Sequence, residues 1–239
     1  MMKIILTEKQ ITSLLQTEGV ARLLQESLGD SKNLENLKKI VLRLIAAGIA
    51  ATTIISAINK VNVPPREKEE LKQMVLAQQD SVEKIDTVFE KKVNACREYM
   101  EYALKNQNYT LESTGLKPET LVKASMERNF DLPFLMAVAH QESCFGATSR
   151  ARRTNSVFSE GVWDDGSNRV KYSDPNESVY GYIDLLNNSY MVNGKTLFDL
   201  LKPGSFVNGI GKRYAKDETY EQKISSIRRR ILKKYPELA

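Results

Sequence analysis

The chain has few residues of the types that build metal centres and disulfide frameworks. Its 239 residues include one histidine, His140, and two cysteines, Cys96 and Cys144. A structural zinc site needs several Cys or His ligands at short spacings, and a disulfide scaffold needs a larger, even set of cysteines. We therefore expect no metal site and no other cofactor. A Ser-His-Asp triad would have to use His140, and no nucleophile-elbow motif accompanies it.

Long hydrophobic runs are also missing. The N-terminal "MMKIILTEKQ" is too short in apolar residues to form the core of a secretory signal, so we expect synthesis in the cytoplasm and delivery by another route. The uncharged stretch 44–58, "LIAAGIAATTIISAI", is shorter than the ~20 residues that span a membrane. We interpret it as a buried helix of a small bundle or an oligomer contact. Membrane contact through 44–58 is the less favoured alternative.

The composition is that of a folded, basic protein. Hydrophobic residues make up 41% and charged residues 27% of the chain, and the net charge is +5. A basic surface favours acidic partners such as nucleic acid, anionic lipid or a carboxylate-bearing polymer. We expect no nucleic-acid binding, because the chain has neither a zinc motif nor a sheet motif with interleaved aromatic and basic residues.

Helical periodicity and helix-end signals predict a mainly α protein in two parts. The polar stretch 106–115 separates a helical module, residues 1–110, from a second domain, residues 116–239. The predicted helices cover about 11–28, 34–60, 66–105, 118–128, 134–143, 174–186, 196–202, 206–215 and 219–235. "VWDDGSNRVKY", residues 162–172, predicts a small β-hairpin around Asp165-Gly166.

Glu142 is the strongest candidate for a catalytic residue in this sequence. It ends an apolar helix, "FLMAVAHQES", and is followed by a polar, Arg-rich loop. A carboxyl at the rim of a core is partly desolvated, which raises its pKa and keeps it protonated near neutral pH. Glycosidic bond cleavage needs such an acid to protonate the leaving oxygen. The alternative is a surface glutamate that caps the helix or pairs with an arginine.

Four blocks in the second domain resemble, in order and spacing, the glucosaminidase family of the lysozyme-like superfamily. That family includes autolysins and the flagellar peptidoglycan hydrolase domain. The blocks are "AHQESCFG" (139–146), "TNSVFSEG" (154–161), "VKYSDPNESVYGYIDLL" (170–186) and "GKRYAKDETYEQKI" (211–224). Cys144 and Phe145 depart from the Gly and Trp that are usual in the first block, and in the second the family's N-x-F-G segment is matched only imperfectly by Asn155-Ser156-Val157-Phe158. Lytic transglycosylases are also similar at Gln-Glu-Ser, but their Gly-Leu-Met-Gln block is absent.

The resemblance implies a lysozyme-like domain that cleaves the glycan backbone of peptidoglycan, with Glu142 as general acid. Phage-encoded wall hydrolases are similar too, which implies a virion-associated enzyme acting on the bacterial wall. Which bond is cut stays open. A second catalytic group would stabilise the transition state or activate water, and the candidates are Glu160 and Asp164. Substrate assistance by an N-acetyl group is the other option, and Asp165 is more simply a turn residue.

Sugar-binding candidates come from the same blocks and the predicted hairpin. Aromatic faces suit the apolar face of a pyranose, and an amide can bond an N-acetyl group. The candidates are Tyr172, Tyr214, Trp163, Phe158 and Asn155. Trp163 could equally pack the hairpin, and Asn155 could equally hold its loop through an Asx-turn. Arg150, Arg152 and Arg153 could meet stem-peptide carboxylates or simply be solvated, as could the basic final helix.

Two further expectations complete the interpretation. His140 lies two residues before Glu142, and residues at that spacing do not share a helix face, so we expect a structural histidine.

The N-terminal helices would hold a virion partner or further copies of the chain. The alternative function is a catalytically inactive, lysozyme-like structural or assembly protein of a virion.

Overall fold

The computed structural model describes residues 17–28, 34–46, 49–160 and 171–239. These ranges are mainly helical and contain no β-strand, only an isolated bridge between Val207 and Arg213. The predicted hairpin over 162–172 lies outside the described residues except for its last two positions. The chain divides into two compact units, Met1–Thr87 and Val88–Ala239.

The first unit is a small helical bundle. Its helices are α1 (Thr17–Leu28), α2 (Leu34–Ala46), α3 (Ala51–Lys60) and the first part of α4 (Pro65–Lys105). The prediction of one helix over 34–60 is wrong, because Ala50 has an extended backbone (φ −56°, ψ 136°) where α3 begins. Apolar residues of 44–58, among them Leu44, Ile54 and Ile58, are buried in the core of this unit, which confirms the bundle interpretation. No helix in the described ranges has the length and apolarity to cross a membrane.

The division between the units falls earlier than the break predicted at 106–115. It lies inside α4, which continues unbroken to Lys105. Residues 93–104 of α4 send Val93, Cys96, Met100 and Leu104 into the core of the second unit. The polar stretch that follows α4 is therefore a loop within the second unit rather than a linker between domains.

The second unit surrounds one buried helix. Its remaining helices are α5 (Pro118–Glu127), α6 (Leu132–Ser143), α7 (Ser149–Thr154), α8 (Glu177–Leu185), α9 (Leu197–Leu200) and α10 (Tyr220–Lys234). A π-helical turn, Leu186–Tyr190, extends α8, and a 3₁₀ turn, Pro236–Leu238, ends the chain. Every residue from Phe134 to Ala139 in α6 is 0% exposed. α6 is thus enclosed on all sides, and only its C-terminal end leads outward.

Asp131 fixes the start of α6, as its position before Leu132-Pro133 predicts. Its carboxylate accepts a hydrogen bond of 2.7 Å from the backbone N–H of Phe134, which satisfies one of the free donors of the first turn. The same carboxylate binds Arg228 of α10 through Nε (3.0 Å) and Nη2 (2.5 Å). The ion pair joins α6 to α10, so this arginine of the basic final helix is engaged within the fold.

The segment 206–215 is not the helix that its sequence predicts. The Asn208 side-chain oxygen accepts hydrogen bonds from the backbone N–H groups of Ile210 (3.2 Å) and Lys212 (2.8 Å). Gly211 has φ +79°, a conformation that glycine adopts without strain. An asparagine followed by glycines satisfies the backbone locally, and this favours a tight turn over a helix. The short helix α7, in the predicted Arg-rich loop, was not expected either.

Candidate functional site

The C-terminal end of α6 carries Glu142 in its last turn. Three consecutive residues beyond it have left-handed backbones: Cys144 (φ 49°), Phe145 (φ 59°) and Gly146 (φ 89°). The Phe145 N–H donates to the Ala139 carbonyl (2.9 Å) and the Cys144 N–H to the His140 carbonyl (3.1 Å), and these two bonds satisfy carbonyls of the last turns where the helix ends. The Phe145 ring then turns back into the core and is 0% exposed.

Ser143 ties the following loop to this helix end. Its buried hydroxyl donates to the Val157 carbonyl (2.5 Å) and accepts from the Gly146 N–H (2.7 Å). The segment 154–160 is therefore held against the end of α6. In this way the Glu-Ser pair of the first block brings the second block beside Glu142.

Hydroxyl groups surround the Glu142 carboxyl. The Tyr220 hydroxyl, from the start of α10, donates to Glu142 Oε1 at 2.6 Å, and the Ser159 side chain is a second hydrogen-bond partner. Burial raises the pKa of Glu142, and the two hydrogen bonds lower it by a smaller amount. The net direction is upward, which favours the protonated form that a general acid requires.

A tyrosine cluster forms the wall behind Glu142. The Tyr214 ring is stacked on Phe206 with the ring centres 4.6 Å apart, and it lies 5.6 Å from the Tyr220 ring. The Tyr182 ring is 6.0 Å from Tyr214. Burial raises the pKa of Tyr182, and the nearby Glu142 carboxyl raises it further. These phenols stay protonated, so they are available as neutral hydrogen-bond donors.

Glu160 is the second half-buried carboxyl of this region. It follows Ser159 directly in the chain, and the Tyr172 hydroxyl donates a hydrogen bond to its Oε2. Burial raises the pKa of Glu160, the Tyr172 hydrogen bond lowers it, and the charge of Asp184 raises it. Ser159, the residue directly before Glu160, is itself a hydrogen-bond partner of Glu142, so the two glutamates adjoin the same short segment.

Three of the predicted sugar-binding residues pack or form hydrogen bonds within the protein itself. Phe158 is 0% exposed and its ring is stacked on Tyr182 at 4.3 Å, so its face is not available to a ligand. The Tyr214 hydroxyl donates to the Phe158 carbonyl at 2.6 Å, and its ring packs against the core. Asn155, at the end of α7, donates through Nδ2 to the Tyr172 and Ser173 carbonyls (2.9 and 3.0 Å).

The structure therefore brings together only part of the site that the sequence predicts. Glu142, Glu160 and Tyr172 lie in one region, and Tyr172 stays partly exposed. Asp164 and Trp163 lie outside the described residues, together with the rest of 161–170. The described segments before and after this stretch, ending at Glu160 and resuming at Lys171, both adjoin the candidate site.

His140 has a structural role, as its position predicts. Its Nδ1 is hydrogen-bonded to the Tyr99 hydroxyl at 2.7 Å, and its ring is stacked on Phe145 with centres 5.8 Å apart. Burial lowers the pKa of His140, which favours the neutral ring. The histidine therefore joins α4 to the end of α6 rather than transferring protons to Glu142.

Sequence reasoning missed a buried ion pair beneath the tyrosine cluster. The Glu221 carboxylate is 1% exposed and accepts two hydrogen bonds from Arg213 Nη2, at 3.0 and 3.1 Å. It also accepts from the Phe206 N–H at 3.2 Å. The pair fixes the turn 206–215 against α10, next to Tyr220. The only sequence signal was a glutamate on the apolar side of the final helix, next to Tyr220.

An open groove of about 370 Å³ lies elsewhere on this unit, between α5 and the start of α8. Two of its acidic groups are already engaged with protein partners. Glu119 pairs with Arg97 at 2.5 Å, and Asp174 accepts from the Asn176 side chain at 2.6 Å. Neither Glu142 nor Glu160 lines it. We therefore place the candidate site at the desolvated carboxyls rather than in this groove.

Comparison with known proteins gave no relative: no family model matches the chain, and neither a curated protein nor a solved structure does.

Proposed function

We propose that the chain is a peptidoglycan hydrolase that cleaves the β-1,4-linked glycan backbone with Glu142 as general acid. The observation that carries the proposal is the Glu142 carboxyl itself. It is half-buried at the open end of an otherwise enclosed helix, its pKa is raised by burial, and it is held by Tyr220. A protonated carboxyl in this setting is suited to protonate the oxygen of a leaving sugar.

The second carboxyl supports a glycosidase rather than an isolated acid. Glycoside hydrolysis uses a second group to stabilise the oxocarbenium-like transition state or to activate water. The sequence offers two candidates for this group. Glu160 lies in the part of the chain that the structure describes, and Asp164 lies outside it. In this proposal the second unit is a lysozyme-like domain, the segment 162–172 is its small hairpin, and Tyr172 and Trp163 contact the sugar.

The first unit has no part in this chemistry. We propose that its helices hold the enzyme to a virion or to further copies of the chain, and that the hydrolase acts on the bacterial wall from the particle. The chain's net charge of +5 suits the carboxylate-rich stem peptides of peptidoglycan. Arg152 and Arg153 are exposed on α7, one turn from Asn155, and are the candidates for these contacts.

The test is digestion of purified peptidoglycan by the wild-type chain and by Glu142→Gln. The products are separated and identified by mass spectrometry. New reducing-end N-acetylglucosamine would indicate a glucosaminidase, reducing-end N-acetylmuramic acid a muramidase, and an anhydro sugar a transglycosylase. We expect Glu142→Gln to lose at least 100-fold in rate, the smaller end of what general acid catalysis contributes.

The matched control is Glu101→Gln, which neutralises an exposed glutamate of α4 and should keep full activity. Circular dichroism and thermal unfolding of each variant show that it is folded. Full activity of Glu142→Gln would overturn the mechanism.

One observation favours the second candidate, an inactive structural protein of a virion with the same fold. Two predicted sugar-binding aromatic residues, Phe158 and Tyr214, pack into the core instead. If the well-folded wild-type chain released no glycan fragments, this structural role would replace the enzymatic one.

A further inference from the structure

Tyr172 is held unusually firmly for a residue beside a loop. Its backbone N–H donates to the Thr154 carbonyl at 3.0 Å, and its own carbonyl accepts from Asn155 Nδ2 at 2.9 Å. Two main-chain bonds thus attach it to the end of α7. Asn155 has a left-handed backbone (φ 53°), which directs its side-chain amide toward the segment that contains Tyr172.

The Tyr172 side chain lies directly on α8, where Gly181 leaves room for it. A Cβ at Gly181 would lie 2.9 Å from Tyr172 Cζ and closer still to the hydroxyl. Such an approach is shorter than atoms tolerate without movement. Gly181 has an ordinary helical backbone, so the glycine is required by space here rather than by conformation.

In this position the Tyr172 hydroxyl donates a hydrogen bond to the Glu160 carboxyl. The Glu160 carbonyl, not its carboxyl, accepts from Ser156 (3.3 Å). Among the described residues, Tyr172 and Asp184 act on the pKa of Glu160, and Glu160 acts in turn on that of Tyr182. Of these, Tyr172 makes the direct bond.

We propose that Tyr172 is a positioning residue that orients the Glu160 carboxyl, and that the missing side chain at Gly181 makes this orientation possible. The proposal rests on the proposed function and adds to it a role for Tyr172 different from sugar stacking. In the proposed function Tyr172 acts on the reaction through Glu160, the candidate second catalytic group.

The chemistry gives the proposal a specific signature. A phenol that donates to a carboxylate stabilises the charged form and so holds the pKa of Glu160 below the value that burial alone would set. Glu160 acts as a carboxylate in the proposed reaction. Loss of the Tyr172 hydroxyl therefore raises its pKa, and the acidic limb of the pH–rate profile moves to higher pH.

The experiment measures peptidoglycan digestion by the full chain across pH for the wild type, Tyr172→Phe and Gly181→Ala. We expect both variants to lose about tenfold near neutral pH, the effect of removing one hydrogen bond to a charged group. Tyr172→Phe should recover part of this loss at higher pH. Tyr180→Phe is the matched control, because it also removes a hydrogen bond between a tyrosine and a glutamate. Tyr180 lies on α8, next to Gly181, and its bond to Glu127 (3.0 Å) is away from the site.

A second measurement does not depend on activity. Carbon-13 NMR of glutamate-labelled chain, assigned with Glu160→Gln, gives the titration midpoint of Glu160 directly. We expect a higher midpoint in Tyr172→Phe than in the wild type. An active wild type with an unchanged midpoint and profile in Tyr172→Phe would overturn this role alone. A well-folded wild type that releases no products would overturn the proposed function and this role with it.

Discussion

The hydroxyl of Tyr220 donates a hydrogen bond of 2.6 Å to the carboxyl of Glu142, across 78 positions of sequence. Tyr220 begins α10 and Glu142 ends α6, so the bond joins two helices that also pack along their length. Because the bond stabilises the charged carboxylate, it opposes the effect of burial on the Glu142 pKa. Tyr220 thus adjusts the pH range over which Glu142 remains an acid.

Tyr220→Phe should shift the alkaline limb of the pH–rate profile to higher pH. Removal of the donor raises the pKa of Glu142 further, and a general acid with a higher pKa stays protonated as the pH increases. The measurement is the rate of peptidoglycan digestion as a function of pH. Tyr102→Phe is the control, because Tyr102 is 55% exposed on α4. An alkaline limb that stays in place would mean that Glu142 does not set it.

Glu142→Gln should become more stable, relative to the wild type, as the pH rises. The folded-state pKa of Glu142 lies above the ordinary value of 4.5, so folding favours the protonated form. The stability that this gives is fully present below the unfolded pKa and is lost as the pH rises through the folded pKa. Glutamine has no such loss.

Urea unfolding of both chains between about pH 4 and pH 8 measures this difference. A difference in unfolding free energy that stays constant over the pH range would contradict a raised pKa at Glu142.

Local signals in the sequence predicted the helix starts of the second unit well. Asp131 before Leu132-Pro133 caps α6, and Thr196 with Asp199 forms the capping box of α9. These devices act within three or four residues, so the sequence carries them completely. Glu142 at a helix end could be predicted for the same reason.

Contacts between distant segments could not be predicted in this way. The burial of Phe158 depends on Tyr182, which stacks on it from α8, and the Arg213–Glu221 pair depends on how the turn 206–215 folds back. Periodicity does not report such contacts. The motif resemblance indicated Tyr214 and the block 211–224 that contains Tyr220, but only the structure shows that the Tyr214 hydroxyl bonds the Phe158 carbonyl and the Tyr220 hydroxyl bonds Glu142.

Phe158→Ala should destabilise the fold by about 3–5 kcal/mol, the usual effect of truncating a buried phenylalanine. Its ring is fully enclosed and stacked on Tyr182, so truncation leaves a cavity next to the tyrosine cluster. Urea unfolding measures the change. Phe198→Ala is the matched control, since Phe198 is 61% exposed, and its effect should be much smaller. Equal effects of the two substitutions would contradict a core position for Phe158.

Arg213→Ala should destabilise the second unit by about 2–3 kcal/mol, because it leaves the buried Glu221 carboxylate without its partner. This is below the usual range of about 3–5 kcal/mol for a fully buried pair, since the Arg213 side chain is itself 34% exposed. Arg229→Ala, at an exposed position of α10, should change the free energy of unfolding by about 0.5 kcal/mol or less.

The double variant Arg213→Ala/Glu221→Gln separates charge from packing. It has no buried charge, so it should be more stable than Arg213→Ala alone if the unpaired carboxylate causes the loss. Because Glu221 adjoins Tyr220, the single variant should also weaken the hold of Tyr220 on Glu142. A double variant less stable than Arg213→Ala would contradict the unpaired carboxylate as the cause of the loss.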